Sequence, residues 1–109
     1  MSKIKAIIKR PDEPAGHVTN ISNTLENFQK TVGGKIEMVR LGDGLILVVN
    51  EEGKLLGLEP NFRIGFGAYE DLIVGTAIVV GEDCDDLDDC PISMQTWKEF
   101  LRGVVSNKL

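Results

Sequence analysis

The stretch LIVGTAIVV, residues 72–80, decides how this chain is read. Apart from Gly75 and Thr76 it is apolar and rich in β-branched residues, the composition of a strand covered on both faces. Its nine residues fall far short of the ~20 that cross a bilayer. Leu72 to Val80 is therefore expected to be the central strand of a sheet, for which the rest of the chain supplies neighbours and cover.

On its C-terminal side, Glu82 to Pro91 reads as an acidic loop, after which Ser93 caps a helix with Met94, Trp97, Leu101, Val104 and Val105 on one face. At the other end of the chain, Lys3 to Lys9 sets Ile4, Ala6, Ile7 and Ile8 among lysines, as in a strand with one better-buried face. Pro11 to Gly16 is a turn, and His17 to Ile21 returns as the second strand of a hairpin. Asn23, with Glu26 three residues on, opens a helix from Thr24 to Val32 whose Leu25, Phe28 and Val32 share a face and which Gly33 and Gly34 stop. Lys35 to Leu41 and Leu45 to Asn50 flank Gly42, Asp43 and Gly44 as a tight β-hairpin. After a turn at Glu51 to Gly53, Lys54 to Leu58 is expected to pair back as a further strand of a meander, ended by Pro60. Glu59 to Asp71 carries Pro60, Gly65 and Gly67 without a clear period and reads as a long loop, a place where function concentrates.

These elements define an α+β fold: a small mixed or antiparallel sheet of about five strands with two helices, in the order β-β-α-β-β-β-β-α, expected to form a single domain over residues 1–109. Its core is expected to contain Ile4, Ile7, Leu25, Phe28, Ile36, Leu47, Ile73, Ile78, Trp97 and Leu101.

Of the 109 residues, 42% are hydrophobic and 27% charged, which argues against wholesale disorder. Residues 1–11 interleave Lys3, Lys5, Lys9 and Arg10 with the isoleucines, leaving no uninterrupted apolar segment of a secretory signal, so a cytoplasmic location is expected. The formal net charge is −5, and between Arg63 and Lys98 there is no Lys or Arg while Glu70, Asp71, Glu82, Asp83, Asp85, Asp86, Asp88 and Asp89 are all acidic. That sign disfavours binding to a nucleic-acid backbone and leaves basic partners and cations open. Cys84 and Cys90 are the only cysteines; they cannot make a four-thiolate zinc site, and in a reducing compartment they are expected to be free thiols.

The order of several short motifs is familiar. Asn23-Thr24-Leu25-Glu26, Val32-Gly33-Gly34, Asp43-Gly44-Leu45, Asn50-Glu51-Glu52-Gly53-Lys54, then Leu58, Pro60, Asn61 and Arg63, and finally Ile73-Val74-Gly75-Thr76 to Gly81 resemble a family of small proteins of phages, plasmids and commensal Firmicutes catalogued as domain of unknown function 3846. The likeness covers roughly residues 3–100. It implies a cytoplasmic protein of a bacterium or mobile element and brings no established activity.

No constellation in the chain reaches the specificity of a catalytic signature. His17, the only histidine, has no nameable nucleophile or orienting partner and reads as a surface residue. Five residues separate the cysteines, not the two of a redox motif. The six carboxylates between Glu82 and Asp89 could offer oxygens to Ca²⁺ but lack the glycine and closing glutamate of an EF-hand, so a mobile, solvated loop is expected. Gly65 and Gly67 form G-x-G with neither a third glycine nor a helix start, which does not support a dinucleotide site. The most suggestive group is Asn50, Asn61 and Arg63, two amides and a guanidinium suited to a phosphate or carboxylate; the competing reading has the amides satisfying turn backbone and Arg63 solvated. The expected function is therefore a noncatalytic binding or accessory module for a protein partner or a small anionic ligand, with no cofactor, metal or membrane partner. The alternative is a small carboxylate-based or metal-assisted enzyme, which needs a pocket that brings two carboxylates together.

Overall fold

The computed structural model describes residues 2–66, 69–84 and 86–106, with the side chains of Phe66, Tyr69 and residues 103–106 left aside. Of the residues singled out in the sequence, Gly67 and Asp85 lie outside the described residues, as do the side chains of Val104 and Val105.

β1 (Lys3–Lys9) and β2 (His17–Ser22) form the first hairpin. α1 (Leu25–Val32) follows at once. Its N-cap is Thr24, whose hydroxyl accepts from Asn27 N–H at 3.1 Å; the preceding Asn23 instead donates its amide to Leu87 O. Gly33 ends the helix in the left-handed region at φ 82°, a conformation that costs glycine nothing. β3 (Ile36–Gly42) and β4 (Leu45–Asn50) make the second hairpin, and β5 (Pro60–Phe66) and β6 (Tyr69–Val74) the third. β7 (Ala77–Asp83), β8 (Asp86–Asp88) and α2 (Met94–Ser106) complete the chain.

The larger sheet runs β2-β1-β7-β4-β3 with every neighbour antiparallel, and β8 pairs with the far end of β7. β4 and the first half of β7 are buried on both faces. One face packs Ile4, Ala6, Ile8, Ile46, Val48, Ile78 and Val80 against Phe28 and Val32 of α1. The opposite face packs Ile7, Leu47, Val49 and Val79 against Ile64 and Ile73 of the β5–β6 hairpin and Trp97 of α2. The fold is thus α+β, an antiparallel sheet covered by one helix on one side and by a two-stranded sheet and a second helix on the other.

Several elements differ from their sequence reading. Leu72 to Val80 is not one strand, for Gly75 breaks it at φ 74°. Its N–H donates to Glu59 O and its carbonyl accepts from Asn61 Nδ2, each at 2.8 Å. The chain there passes from the small sheet to the large one, and only Ala77 onward is the central strand. Glu59 to Asp71 is mostly β-hairpin rather than loop, with Pro60 opening β5. Lys54 to Leu58 forms no strand: β4 already has β3 on one edge and β7 on the other, so the backbone of this segment is satisfied in local turns, with Leu56 N–H on Glu52 O and Leu58 N–H on Gly53 O. Nor is the acidic segment a free loop. Asp89 Oδ1 accepts from Lys5 N–H at 2.7 Å, Cys90 N–H donates to Lys5 O at 2.8 Å, and Glu82 takes a two-pronged bond from Arg40.

Of the expected core, Ile4, Ile7, Phe28, Leu47, Ile73, Ile78 and Trp97 are buried. Ile36 and Leu101 are half-buried. Leu25 is 58% exposed, because the one face of this two-turn helix that meets the sheet is spent on Phe28 and Val32.

Candidate functional site

A solvent-open groove of about 370 Å³ lies between the end of the β3–β4 hairpin, the turn at residues 51–57 and β6. Val39, Val49 and Ile73 give it an apolar floor, and Glu37, Glu51, Glu52 and Asp71 bring four carboxylates to its walls. Lys54 stands at its mouth, hydrogen-bonded to Asp71. Beside it Leu55 and Leu56 project into solvent, 83% and 59% exposed.

Each wall has a local cause. Asn50, at the end of β4, is buried; its Nδ2 donates to Val32 O at 3.2 Å and its Oδ1 accepts from Glu52 N–H at 2.8 Å, so it ties the start of the turn to the end of α1. Gly53 lets the turn sit on β6, since a Cβ there would come within 2.8 Å of Val74 Cγ2. Leu58 packs on the bend at Gly75 in the same way. The base of the turn is held on β6 while its tip, Lys54 to Leu56, stands clear.

Of the three residues singled out in the sequence, only Asn50 lines the groove. Asn61 spends its amide nitrogen on two carbonyls, Lys9 O at 2.9 Å and Gly75 O at 2.8 Å, and its oxygen on Lys9 Nζ. Arg63, two residues on, is exposed on β5. The structure therefore uses both amides on its own backbone and on Lys9, and does not gather the three around one cavity. Among the described residues every buried side-chain nitrogen and oxygen has a partner.

Other titratable groups are accounted for by their surroundings. Lys9 is buried, 5.7 Å from the centre of the Phe62 ring, and its ammonium is held below the ordinary lysine range by burial, against the opposing pull of Glu13 and Asp12. The Glu13 carboxylate, which accepts from Arg10 N–H and lies 3.0 Å from His17 Nδ1, sits below its ordinary range for those two reasons in that order. Glu82 is lowered by its hydrogen bonds from Arg40. The thiol of buried Cys90 is pushed up by desolvation, whereas Cys84 is exposed; both are free. Among the described residues no three His, Cys, Asp or Glu side chains converge as metal ligands, and no helix is long and apolar enough to cross a membrane.

The groove was not legible in the sequence because its carboxylates come from three separated segments. The alternation of Phe62, Ile64 and Phe66 was the signal that could have revealed β5, and with it β6 as a wall. Fold and site together define a small α+β protein with an acidic groove. Residues 4–103 match the model of the family described as domain of unknown function (DUF3846), and the chain belongs to that family. No curated protein and no solved structure matches it.

Proposed function

We propose that this chain is a noncatalytic binding or accessory module, acting in the cytoplasm of a bacterium or on behalf of a mobile element, that docks a protein partner through the groove beside Leu55 and Leu56. The observation that carries this reading is the adjacency of two strongly exposed leucines to an apolar-floored groove. Isolated exposed apolar side chains are ordinary; two on a projecting tip beside a groove have the form of an anchor for an interface. A small anionic ligand is the weaker alternative, since the amides of Asn50 and Asn61 already serve backbone and the groove walls carry the wrong charge for an anion.

A carboxylate-based enzyme is a second reading that the same groove favours, because Glu37, Glu51, Glu52 and Asp71 meet there. Acid–base work needs carboxylates in contrasting environments, one of them desolvated. Glu37, Glu51 and Glu52 are all exposed, which ranks this reading below docking.

The test places a benzophenone amino acid at Leu55, at Leu56 and, as control, at exposed Asn20 on β2, followed by irradiation in the native host. A discrete cross-linked protein from positions 55 and 56, absent from position 20, is the expected result. Cross-linking at 55 and 56 no greater than at 20 overturns the docking role.

A further inference from the structure

The groove is lined by four consecutive residues of β6, Asp71 to Val74. Side chains of a strand alternate between faces, so an unbroken run means that the backbone edge itself borders the groove. β6 pairs with β5 alone, and its other edge carries no strand among the described residues. An unpaired edge is a template for an added strand, the usual way a sheet takes up an extended peptide.

The charge around that edge selects the peptide. Four carboxylates stand against the single ammonium of Lys54, a balance that repels acidic segments and favours basic ones. A second copy of this chain fits poorly, because it would bring a second groove lined by the same four carboxylates against this one. Lys54 itself marks where a cation belongs. It reaches from the turn to Asp71 while remaining 61% exposed, whereas Asp71 is 26% exposed; an ion pair whose cationic end is open to water contributes little, and that end can be exchanged.

Resting on the docking role above, we infer that the groove takes an extended basic segment of another protein, which adds as a strand to the edge of β6 opposite β5, and that Lys54 is an internal competitor which the partner's own cationic side chain displaces from Asp71. Leu55 and Leu56, next along the turn, then cover the apolar side chains of the added strand.

The probe is a fluorescein-labelled decapeptide alternating lysine and valine, compared with the glutamate-for-lysine peptide and with two versions N-methylated at alternate residues, one in each register, by fluorescence anisotropy at near-physiological salt. Lys54→Met is compared with Lys30→Met on α1, which changes net charge equally, and Asp71→Asn with Asp86→Asn on β8. Expected is binding of the lysine peptide alone, tightened about 2- to 5-fold by Lys54→Met and weakened about fivefold by Asp71→Asn, the scale of one exposed ion pair. The two control variants should leave it nearly unchanged, and one N-methylated register should abolish it. Equal effects of Lys54→Met and Lys30→Met, or of Asp71→Asn and Asp86→Asn, reduce the binding to net charge and overturn the inference, as does binding that N-methylation leaves intact. Failure of every variant to bind overturns it too; if cross-linking at Leu55 persists in that case, the docking role stands with a partner of different chemistry, and if it is also absent both fall.

Discussion

Asn61 and Lys9 hold each other in both directions across 52 residues of chain: Lys9 Nζ donates to Asn61 Oδ1 at 2.5 Å, and Asn61 Nδ2 donates to Lys9 O at 2.9 Å. The same nitrogen reaches Gly75 O, so one amide joins β1, β5 and the bend before β7. Replacing Asn61 with Ala takes the amide from two carbonyls and leaves the buried ammonium with only its long bond to Arg10 O, at 3.5 Å. Urea denaturation should show a loss of about 1–3 kcal/mol, the cost of buried groups left unpaired. An unchanged midpoint would mean that water replaces the amide without loss.

Lys9 also predicts a pH dependence. Burial lowers its folded pKa below the unfolded value, so between those two values the unfolded chain binds more protons and stability rises with pH. Below the lowered pKa the charged form is buried at full cost; above the ordinary lysine value the relative gain is complete. The stability of the wild type relative to Lys9→Met should therefore increase from neutral pH towards pH ~10. A flat or falling difference contradicts the desolvation of Lys9.

The two thiols should react very differently. Cys90 is buried, hydrogen-bonded to Ile92 O, and shifted towards the protonated form by desolvation, whereas Cys84 is exposed. Since the thiolate is the reactive species, native protein should titrate one thiol with a disulfide reagent and a second only on unfolding. Two fast thiols in the native state would show that the segment from Asp89 to Pro91 opens readily from Lys5.

Trp97 anchors α2 more than Leu101 does. It is wholly buried, stacks with Phe100 at 5.3 Å, meets the Phe62 ring edge-on at 5.6 Å, and donates Nε1–H to Ala15 O at 2.9 Å. Trp97→Ala should cost about 3–5 kcal/mol. Leu101→Ala, at a half-buried position, should fall at or below the lower end of the range for core leucines, about 2 kcal/mol. Equal losses by thermal or urea unfolding would place Leu101 as deep in the core as Trp97.

How far the sequence reached is visible element by element. β1, the β3–β4 hairpin and both helices follow from patterns only two to four residues long: Ile4 and Ala6 two apart in a strand, Phe28 and Val32 four apart in a helix, and a glycine stop at Gly33, while the cap expected at Asn23 falls one residue on, at Thr24. That the run from Leu72 to Val80 supplies the centre of the sheet was equally legible, because only a strand hidden on both faces can be so apolar. What the run could not disclose is that Gly75 divides it, for that depends on Glu59, Asn61 and Leu58 meeting the chain there. The missing meander strand has the same origin: Lys54 to Leu58 stays in turns because β7, from far along the chain, already occupies the edge of β4. The amides of Asn50 and Asn61 could be noticed in the sequence, but their partners Val32 and Lys9 lie 18 and 52 residues away. Local pattern determines which segments are strands and helices, because backbone geometry and the division between water and core act over a few residues. The choice of strand edges, the use of buried amides and the gathering of Glu37, Glu52 and Asp71 around one groove belong to the tertiary structure alone, because each is a pairing between groups that no short-range periodicity links.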